Sequence, residues 1–420
     1  GDIVRLGVLP HSSLVVLEYS QHFRVFCPVS LALIELPAES WSSAITRATA
    51  LDRIWPTAET CYDESTVDGH FLTICLTQNC NLRCQYCYLH GREPDWGFRS
   101  SVAEHQVVDA FVEGEIRAAI HARPRKLGLN FFGGEPLLEQ SRVVELTNLA
   151  KRLAQECGVS LDIGITTNGT LLTRLFLEWC QHEGVRIMLS LDSPPEIHDQ
   201  YRAGGKPTNS FEEIRNRIRG FESDLTVVMT VTRQMSSFRN ALERLFAIGF
   251  GKVCFNFVHS RDKELALQSD DITRLVGEWE QEEAWFSRHA AQIGNLCEMH
   301  EMIRCRTPKT RPCSAGGASF AIGPDAKRYF CHGCVGDPDL ELVSGRSVFS
   351  GKGGLKDVEG LESVECRKCW ARGLCGGDCW LVRRGYSAEE RQGRCDLIRG
   401  FTQLALSTFV MDAGSKNNNG

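Results

Sequence analysis

Phe71-Leu72-Thr73-Ile74-Cys75-Leu76-Thr77-Gln78-Asn79-Cys80-Asn81-Leu82-Arg83-Cys84-Gln85-Tyr86-Cys87 sets an apolar, β-prone run directly before three cysteines. Residues 71–76 predict a strand, so Cys80, Cys84 and Cys87 fall in the loop beyond its carboxyl end. Three thiolates spaced by three and then two residues can hold three irons of a cubane cluster and leave the fourth iron without a protein ligand. An open iron is a site for a small chelating molecule. A structural zinc site instead closes four-coordinate, usually on paired CxxC or Cys/His ligands. No fourth cysteine or near CxxC partner follows, although His90 is close.

Outward from this loop, strand and helix alternate. Strands are predicted at 126–132 (KLGLNFF), 161–166 (LDIGIT), 185–191 (VRIMLSL), 224–231 (DLTVVMTV) and 252–258 (KVCFNFV). Amphipathic helices are predicted near 102–121, 138–156, 170–183, 210–221 and 236–247. Parallel neighbours need crossovers, and these are right-handed. Six such units within 71–260 predict an α/β fold, a partial (β/α)6 barrel left open rather than closed at eight strands.

In a parallel sheet the reactive groups belong at the carboxyl ends of the strands. There stand Gly133-Gly134-Glu135-Pro136, Thr166-Thr167-Asn168-Gly169-Thr170 and Ser190-Leu191-Asp192-Ser193-Pro194, the last followed by His198-Asp199-Gln200-Tyr201-Arg202. Adjacent glycines let backbone approach a ligand closely, here an α-amino group, and Pro136 fixes the exit from the turn. Each stretch alone reads as a turn or helix cap. Their shared place at successive strand ends favours a binding site.

The flanks differ in texture. Residues 1–70 predict a small N-terminal α+β unit, with short strands near 14–18, 23–27 and 31–36 and a helix from Ser40 to about Ile54. Residues 261–304 read as a helical linker, with a charged, Trp-containing helix over 271–301. Residues 305–400 are Gly- and Cys-rich with little periodicity. The 401–420 segment reads as a C-terminal helix with a disordered tail from Gly414.

Of 420 residues, 42% are hydrophobic and 24% charged, as in ordinary globular chains. A net charge of -6 argues against a nucleic-acid binder. No apolar run approaches the ~20 residues of a membrane span, and no basic-then-apolar export signal opens the chain, which predicts a cytoplasmic protein. Such a chain builds its own core without a disulfide framework. The crowding of its 19 cysteines at 75–87 and from Cys297 to Cys395 therefore reads as metal ligation. Isolated Cys27, Cys157, Cys180 and Cys254 read as small buried hydrophobes.

The CxxxCxYC loop with the GGEP, TNGT and SLDxPxxxHDxxR series resembles the radical SAM superfamily over about 71–260. The resemblance implies that Cys80, Cys84 and Cys87 hold a [4Fe-4S] cluster whose open iron chelates S-adenosylmethionine. One electron then cleaves the sulfonium to methionine and a 5'-deoxyadenosyl radical, which abstracts a substrate hydrogen. It further implies Tyr86 near adenine, Gly133, Gly134, Glu135 and Pro136 along the methionine end, and Asn168, Ser190 and Arg202 near ribose or carboxylate. A flavodoxin- or ferredoxin-type electron donor is implied as well.

Cys366-x2-Cys369-x5-Cys375-x3-Cys379, followed by Cys395 and preceded by Cys313 and Cys331, resembles the SPASM extension of radical SAM peptide-modifying enzymes, over about 305–400. Structural zinc is the alternative, because CxxC is itself zinc-like. The resemblance implies two further [4Fe-4S] clusters, three in all. Auxiliary cluster one takes Cys313, Cys331 and Cys379, with Cys305 as its fourth ligand and Cys334 and Cys297 behind it. Auxiliary cluster two takes Cys366, Cys369, Cys375 and Cys395.

Two residues depart from the pattern. Ala326 stands where many SPASM sequences carry Gly with four residues between it and the next cysteine, and His332 stands where sulfatase-maturating relatives place an Asp general base. His259, His332 and Asp325 otherwise read as solvated surface groups, and no side chain is assigned as catalytic.

The sequence thus predicts a radical SAM/SPASM maturase that forms a thioether, C–C or ether cross-link in a ribosomally made precursor peptide. The alternatives are a sulfatase-type or redox-cofactor maturase and peptide backbone excision. Outside enzymes, the alternative is an iron-sulfur or zinc scaffold. Residues 1–70 offer a strand edge where a leader segment pairs as an added strand; a plain cap over the barrel is the other reading.

Overall fold

A computed structural model describes residues 3–9, 14–19, 22–36, 38–52, 69–89, 100–202, 209–260, 262–309, 311–315, 319–342, 366 and 368–410. His90 and the tail from Gly414 lie outside them. The chain divides into two compact units, one of Gly1–Asp63, Gln268–Pro312 and Leu361–Gly420, the other of Glu64–Leu267 and Cys313–Gly360.

The first unit begins with β1 (Ile3–Val8), β2 (Val15–Tyr19), β3 (Phe23–Phe26) and β4 (Leu33–Leu36), an antiparallel sheet in that order, followed by α1 (Trp41–Asp52). Val16 and Val25 share one apolar cluster with Ala44 and Ala48 of α1. Val15, Leu17, Phe26 and Leu33 belong to a second. A sheet covered on both faces loses the polar-apolar alternation of a one-sided one. That is why these strands read as short continuous apolar runs, and β1 escaped the sequence reading.

The second unit carries the strand-helix alternation. Its elements are β5 (Gly69–Cys75), α2 (His105–His121), β6 (Lys126–Phe132), α3 (Gln140–Cys157), β7 (Ser160–Thr167), α4 (Arg174–Glu183) and β8 (Arg186–Ser190). They continue with α5 (Pro195–Arg202), α6 (Ser210–Arg217), β9 (Leu225–Val231), α7 (Phe238–Ile248) and β10 (Lys252–Phe257). The six strands β5 to β10 pair in parallel as consecutive neighbours, the α/β arrangement the sequence predicts. Two strands from the Cys-rich region extend this sheet. β11 (Ser319–Ile322) pairs in parallel with β5, and β12 (Arg328–Tyr329) pairs antiparallel with β11. Among the described residues this sheet has eight strands and stays open, with β10 and β12 at its ends.

The turn between β11 and β12 runs through Ala326 at φ 59°, a left-handed conformation that Gly adopts without steric cost. Alanine holds this turn at a steric cost that glycine would not bear.

The first unit resumes with α8 (Ser269–Gln281), α9 (Glu283–His289) and α10 (Gly294–Cys305), then α11 (Arg372–Cys375), α12 (Trp380–Gly385) and α13 (Ala388–Thr408). The single helix predicted over 271–301 is thus three. Met302 and Ile303 of α10, Leu374 of α11 and Leu406 of α13 pack on Val15, Leu17 and Phe26, so the N-terminal sheet shares its core with these helices. The approach is close enough that a Cβ on Gly373 would lie 1.8 Å from the Pro28 carbonyl oxygen. Among the described residues, no helix is long and apolar enough to cross a membrane.

Candidate functional site

Cys80, Cys84 and Cys87 lie half-buried in the loop after β5. The Leu82 N–H donates to Cys80 Sγ at 3.4 Å, the Leu89 N–H to Cys87 Sγ at 3.4 Å, and Asn168 Nδ2 to Cys80 Sγ at 3.7 Å. Donors aimed at sulfur stabilise thiolate charge, the form that binds metal. Burial pushes the Cys84 thiol up to about 12, against the pull of Arg202, and Cys87 and Cys80 raise it further. The three thiols are therefore electrostatic neighbours. Among the described residues, no group of three or more His, Cys, Asp or Glu side chains forms a ready-made site for a metal ion. The residues nonetheless suit a cluster: three soft thiol ligands in an open strand-end loop with N–H donors to two of the sulfurs.

The second strand end braces this loop. Gly134 N–H donates to the Thr77 carbonyl at 2.9 Å, and Glu135 N–H to the Asn79 carbonyl at 2.8 Å. Gly133 has φ 126°, and a Cβ on Gly134 would lie 2.0 Å from the Asn79 carbonyl oxygen. The close approach that the glycine pair permits is thus made to the cysteine loop itself. Glu135 is fully buried; it accepts from Leu137 N–H at 3.0 Å, Thr167 Oγ1 at 2.7 Å and Asn168 N–H at 2.8 Å. Its carboxylate ties the end of β6 to the end of β7. Pro136 is buried at the start of the turn that leads to α3.

Asn168 links back again, its Nδ2 donating to Asn81 Oδ1 at 2.9 Å while its Oδ1 accepts from Thr170 N–H at 2.9 Å. Ser190 ends β8, half-buried. Beyond it Asp192, fully buried, receives Nε and Nη2 of Arg202 at 2.9 Å each, the Tyr86 hydroxyl and the Thr230 N–H at 2.8 Å. Burial alone would raise the Asp192 carboxyl; the Arg202 charge outweighs it and holds the group below the ordinary carboxylate range. Arg202 also lies 5.6 Å over the Tyr86 ring, and Gln85 N–H donates to the Tyr201 carbonyl at 2.8 Å. The strand-end residues read from the sequence therefore converge. Asp192, the hub that joins Tyr86 to Arg202, was quoted in the motif but assigned no role.

His332 is exposed, as expected, with its ring 4.5 Å from that of Phe132 and 6.0 Å from that of Tyr88. Asp325 accepts from the Tyr329 hydroxyl at 2.5 Å within the hairpin turn.

In the first unit, Cys366, Cys369, Cys375 and Cys395 are half-buried. Burial pushes Cys375 up to about 12, followed by Asp378 and then Cys366 and Cys369. Burial likewise raises Cys395, with Cys366 and Cys369 among its neighbours. Arg394 clasps Asp378 at 2.5 and 2.9 Å, and the Cys379 N–H donates to the same carboxylate at 2.8 Å. Cys305 is exposed, its thiol 3.1 Å from Glu301 Oε1. Cys313 is exposed as well, and Cys331 half-buried.

The Radical SAM superfamily model matches residues 74–236. The chain is 25% identical over 338 residues to the serine-type anaerobic sulfatase-maturating enzyme of Klebsiella aerogenes, covering 75% of this chain and 80% of the relative. It is 22% identical over 360 residues to the cysteine-type enzyme of Clostridium perfringens (strain 13 / Type A), covering 80% and 95%. The solved structure of native anSMEcpe with bound AdoMet and Kp18Cys peptide superposes with a TM-score of 0.63 at 20% identity, covering 80% of this chain and 98% of that one. Residues 74–236 are accordingly a radical SAM domain, and the chain that carries it is an enzyme.

Proposed function

We propose that the protein is a radical SAM peptide maturase that makes an oxidative side-chain cross-link in a precursor peptide. The observation that carries the peptide substrate is the likeness over most of both chains to the sulfatase-maturating enzymes. When bound, the cluster and S-adenosylmethionine supply a 5'-deoxyadenosyl radical that takes a hydrogen atom from the substrate. Cys80, Cys84 and Cys87 hold the cluster; Tyr86, Gly133, Gly134, Glu135, Pro136, Asn168, Ser190 and Arg202 form the S-adenosylmethionine site. Within that site Glu135 and the Asp192–Arg202 pair act mainly as braces, because their polar atoms already hold the strand ends and the cysteine loop together.

Cys366, Cys369, Cys375 and Cys395 hold one auxiliary [4Fe-4S] cluster, and a further one brings the total to three. An auxiliary cluster suits removal of a second electron, which cross-link formation requires. Electrons enter from a flavodoxin- or ferredoxin-type donor in the cytoplasm, and residues 1–70 contribute to holding the leader of the peptide.

A sulfatase-type maturase is the second reading, favoured by the same relatives. It oxidises a single residue, whereas His332 stands at the position of the Asp general base of that branch. The mass of a candidate peptide after reaction separates the two: loss of two hydrogens with two side chains joined supports the cross-link. A carbonyl at one unlinked residue supports the sulfatase-type reading.

A further inference from the structure

The outer side of the cysteine loop is exposed and cationic. Asn81 and Arg83 are exposed there, and Arg83 Nη1 donates to the Cys80 carbonyl at 2.5 Å and to the Leu82 carbonyl at 2.8 Å. A guanidinium held by carbonyls keeps its positive charge. Asn81 Nδ2 donates to Thr170 Oγ1 at 2.7 Å, so the loop after β7 continues the same surface. Two residues on, the Leu172 carbonyl accepts from Nη1 of exposed Arg217 at 3.3 Å, a second guanidinium set on a carbonyl.

α4 starts at this place. Thr173 caps it, Oγ1 accepting the Phe176 N–H at 3.3 Å, and the next two residues stand in solvent, the Arg174 side chain 73% and Leu175 79% exposed. The amino end of the helix adds a partial positive charge.

Carboxylates cancel only part of this charge. Glu178 takes Arg174 at 2.9 Å, and Glu212 takes Arg215 at 3.3 Å. Arg83, Arg217 and Arg219, the last bonded to Asn216 at 2.7 Å, then stand against Glu213. The local excess is positive in a chain of net charge -6. A single exposed leucine means little by itself. Beside arginines and the cysteine loop, Leu175 has the setting of an apolar anchor in an Arg-rich interface. Encounters between redox proteins bury little area, so a patch of this extent suffices for one.

We infer that Asn81 and Arg83, the loop after β7 and the amino end of α4 form the docking surface for an acidic electron carrier of the flavodoxin type. The inference rests on the cluster at Cys80, Cys84 and Cys87 given under the proposed function, and every residue of the surface belongs to the unit that holds those cysteines. One electron leaves the carrier's flavin, which is oxidised from anionic hydroquinone to neutral semiquinone, and enters the cluster. No proton moves and no bond forms.

The test uses the full chain, reconstituted anaerobically, as wild type, Arg83→Gln/Arg217→Gln and Leu175→Ser, with an acidic bacterial flavodoxin as the probe. Binding is titrated at ionic strengths on the order of 0.01 M and about 0.15 M, because salt screens attraction between exposed charges. Hydrogen–deuterium exchange maps the footprint on the wild type. Binding should weaken with salt, protect amides within 80–87 and 169–178, and fall about tenfold in the double variant at low salt; Leu175→Ser should weaken it as well. Wild type that does not bind at low salt, variants that bind as tightly as wild type, or protection confined to other segments would each overturn the proposal.

5'-Deoxyadenosine formation separates the dock from the site. Driven by dithionite, a small reductant that needs no dock, it should be equal in all three proteins. Driven by reduced flavodoxin, it should be about tenfold slower in the double variant. Iron content reports whether Arg83→Gln disturbs the cysteine loop, and Leu175→Ser, on α4, carries the test if it does. No 5'-deoxyadenosine from iron-replete wild type with dithionite would refute the cluster reading itself, whereas equal flavodoxin-driven rates in all three proteins refute the docking surface alone.

Discussion

Arg202 grips Asp192 through Nε and Nη2, both at 2.9 Å, with the two side chains 7% and 0% exposed. The pair spans the end of β8 and the end of α5, and through Tyr86 and the Gln85 N–H it reaches the cysteine loop after β5. One buried ion pair thus couples the end of β8 and the end of α5 to the cysteine loop, which lies 106 residues earlier in the chain.

Asp192→Asn leaves the Arg202 charge buried without its counter-ion. Removing one partner of a buried pair costs about 3–5 kcal/mol, a larger loss than any surface pair in this chain could give. Urea unfolding followed by far-UV circular dichroism should show a fall of this order, with S-adenosylmethionine affinity falling too. A change below about 1 kcal/mol would mean that the pair does not brace the site.

His198 gives the fold an acid limb. Its ring is fully buried, accepts the Asp192 N–H at 3.2 Å and meets Phe211 edge-on. Burial first, and then the Arg202 charge, lower its pKa to about 4 from an ordinary 6.5. Between those values the unfolded chain binds a proton that the folded chain refuses, so folding stability rises with pH across that window and the His198 share is lost as pH falls from 6.5 toward 4. The share is on the order of 3 kcal/mol. His198→Phe should flatten the stability profile between pH 4 and 6.5; an unchanged slope would assign the acid sensitivity to other groups.

Gly134→Ala drives a methyl group against the Asn79 carbonyl oxygen, 2.0 Å from the ideal Cβ position. The neighbour is backbone of the cysteine loop, so it yields only by displacing that loop, at about 1–3 kcal/mol. Reconstituted Gly134→Ala should lose iron from the Cys80, Cys84 and Cys87 site while the other irons stay. Full iron with weakened S-adenosylmethionine binding would show instead that the glycine serves the ligand alone.

Ala326→Gly should stabilise the protein by about 1 kcal/mol, because Ala326 at φ 59° bears a strain that glycine does not. Thermal unfolding reads this directly. A destabilised variant would mean that the entropy glycine adds to the unfolded chain outweighs the strain relieved.

The six parallel strands were legible because each is a short, β-prone and largely apolar stretch between helical stretches of different period, and β6 spans the residues predicted. β11 and β12 were not: with four and two residues they carry too little pattern, and β11 pairs with β5 almost 250 positions earlier in the chain. At the site, the sequence located the strand ends but not the partners chosen there. Glu135 and Arg202 are the residue types that grasp a cofactor, and nothing in their spacing reveals that Thr167, Asn168 and Asp192 occupy them first.

The measurement that bears most directly on the radical SAM assignment is 5'-deoxyadenosine formation by the anaerobically reconstituted chain with dithionite and S-adenosylmethionine. The wild type should form 5'-deoxyadenosine and methionine, and the variant with Cys80, Cys84 and Cys87 all replaced by Ala should form none. Equal 5'-deoxyadenosine formation by the triple variant, or none by an iron-replete wild type, would contradict the account.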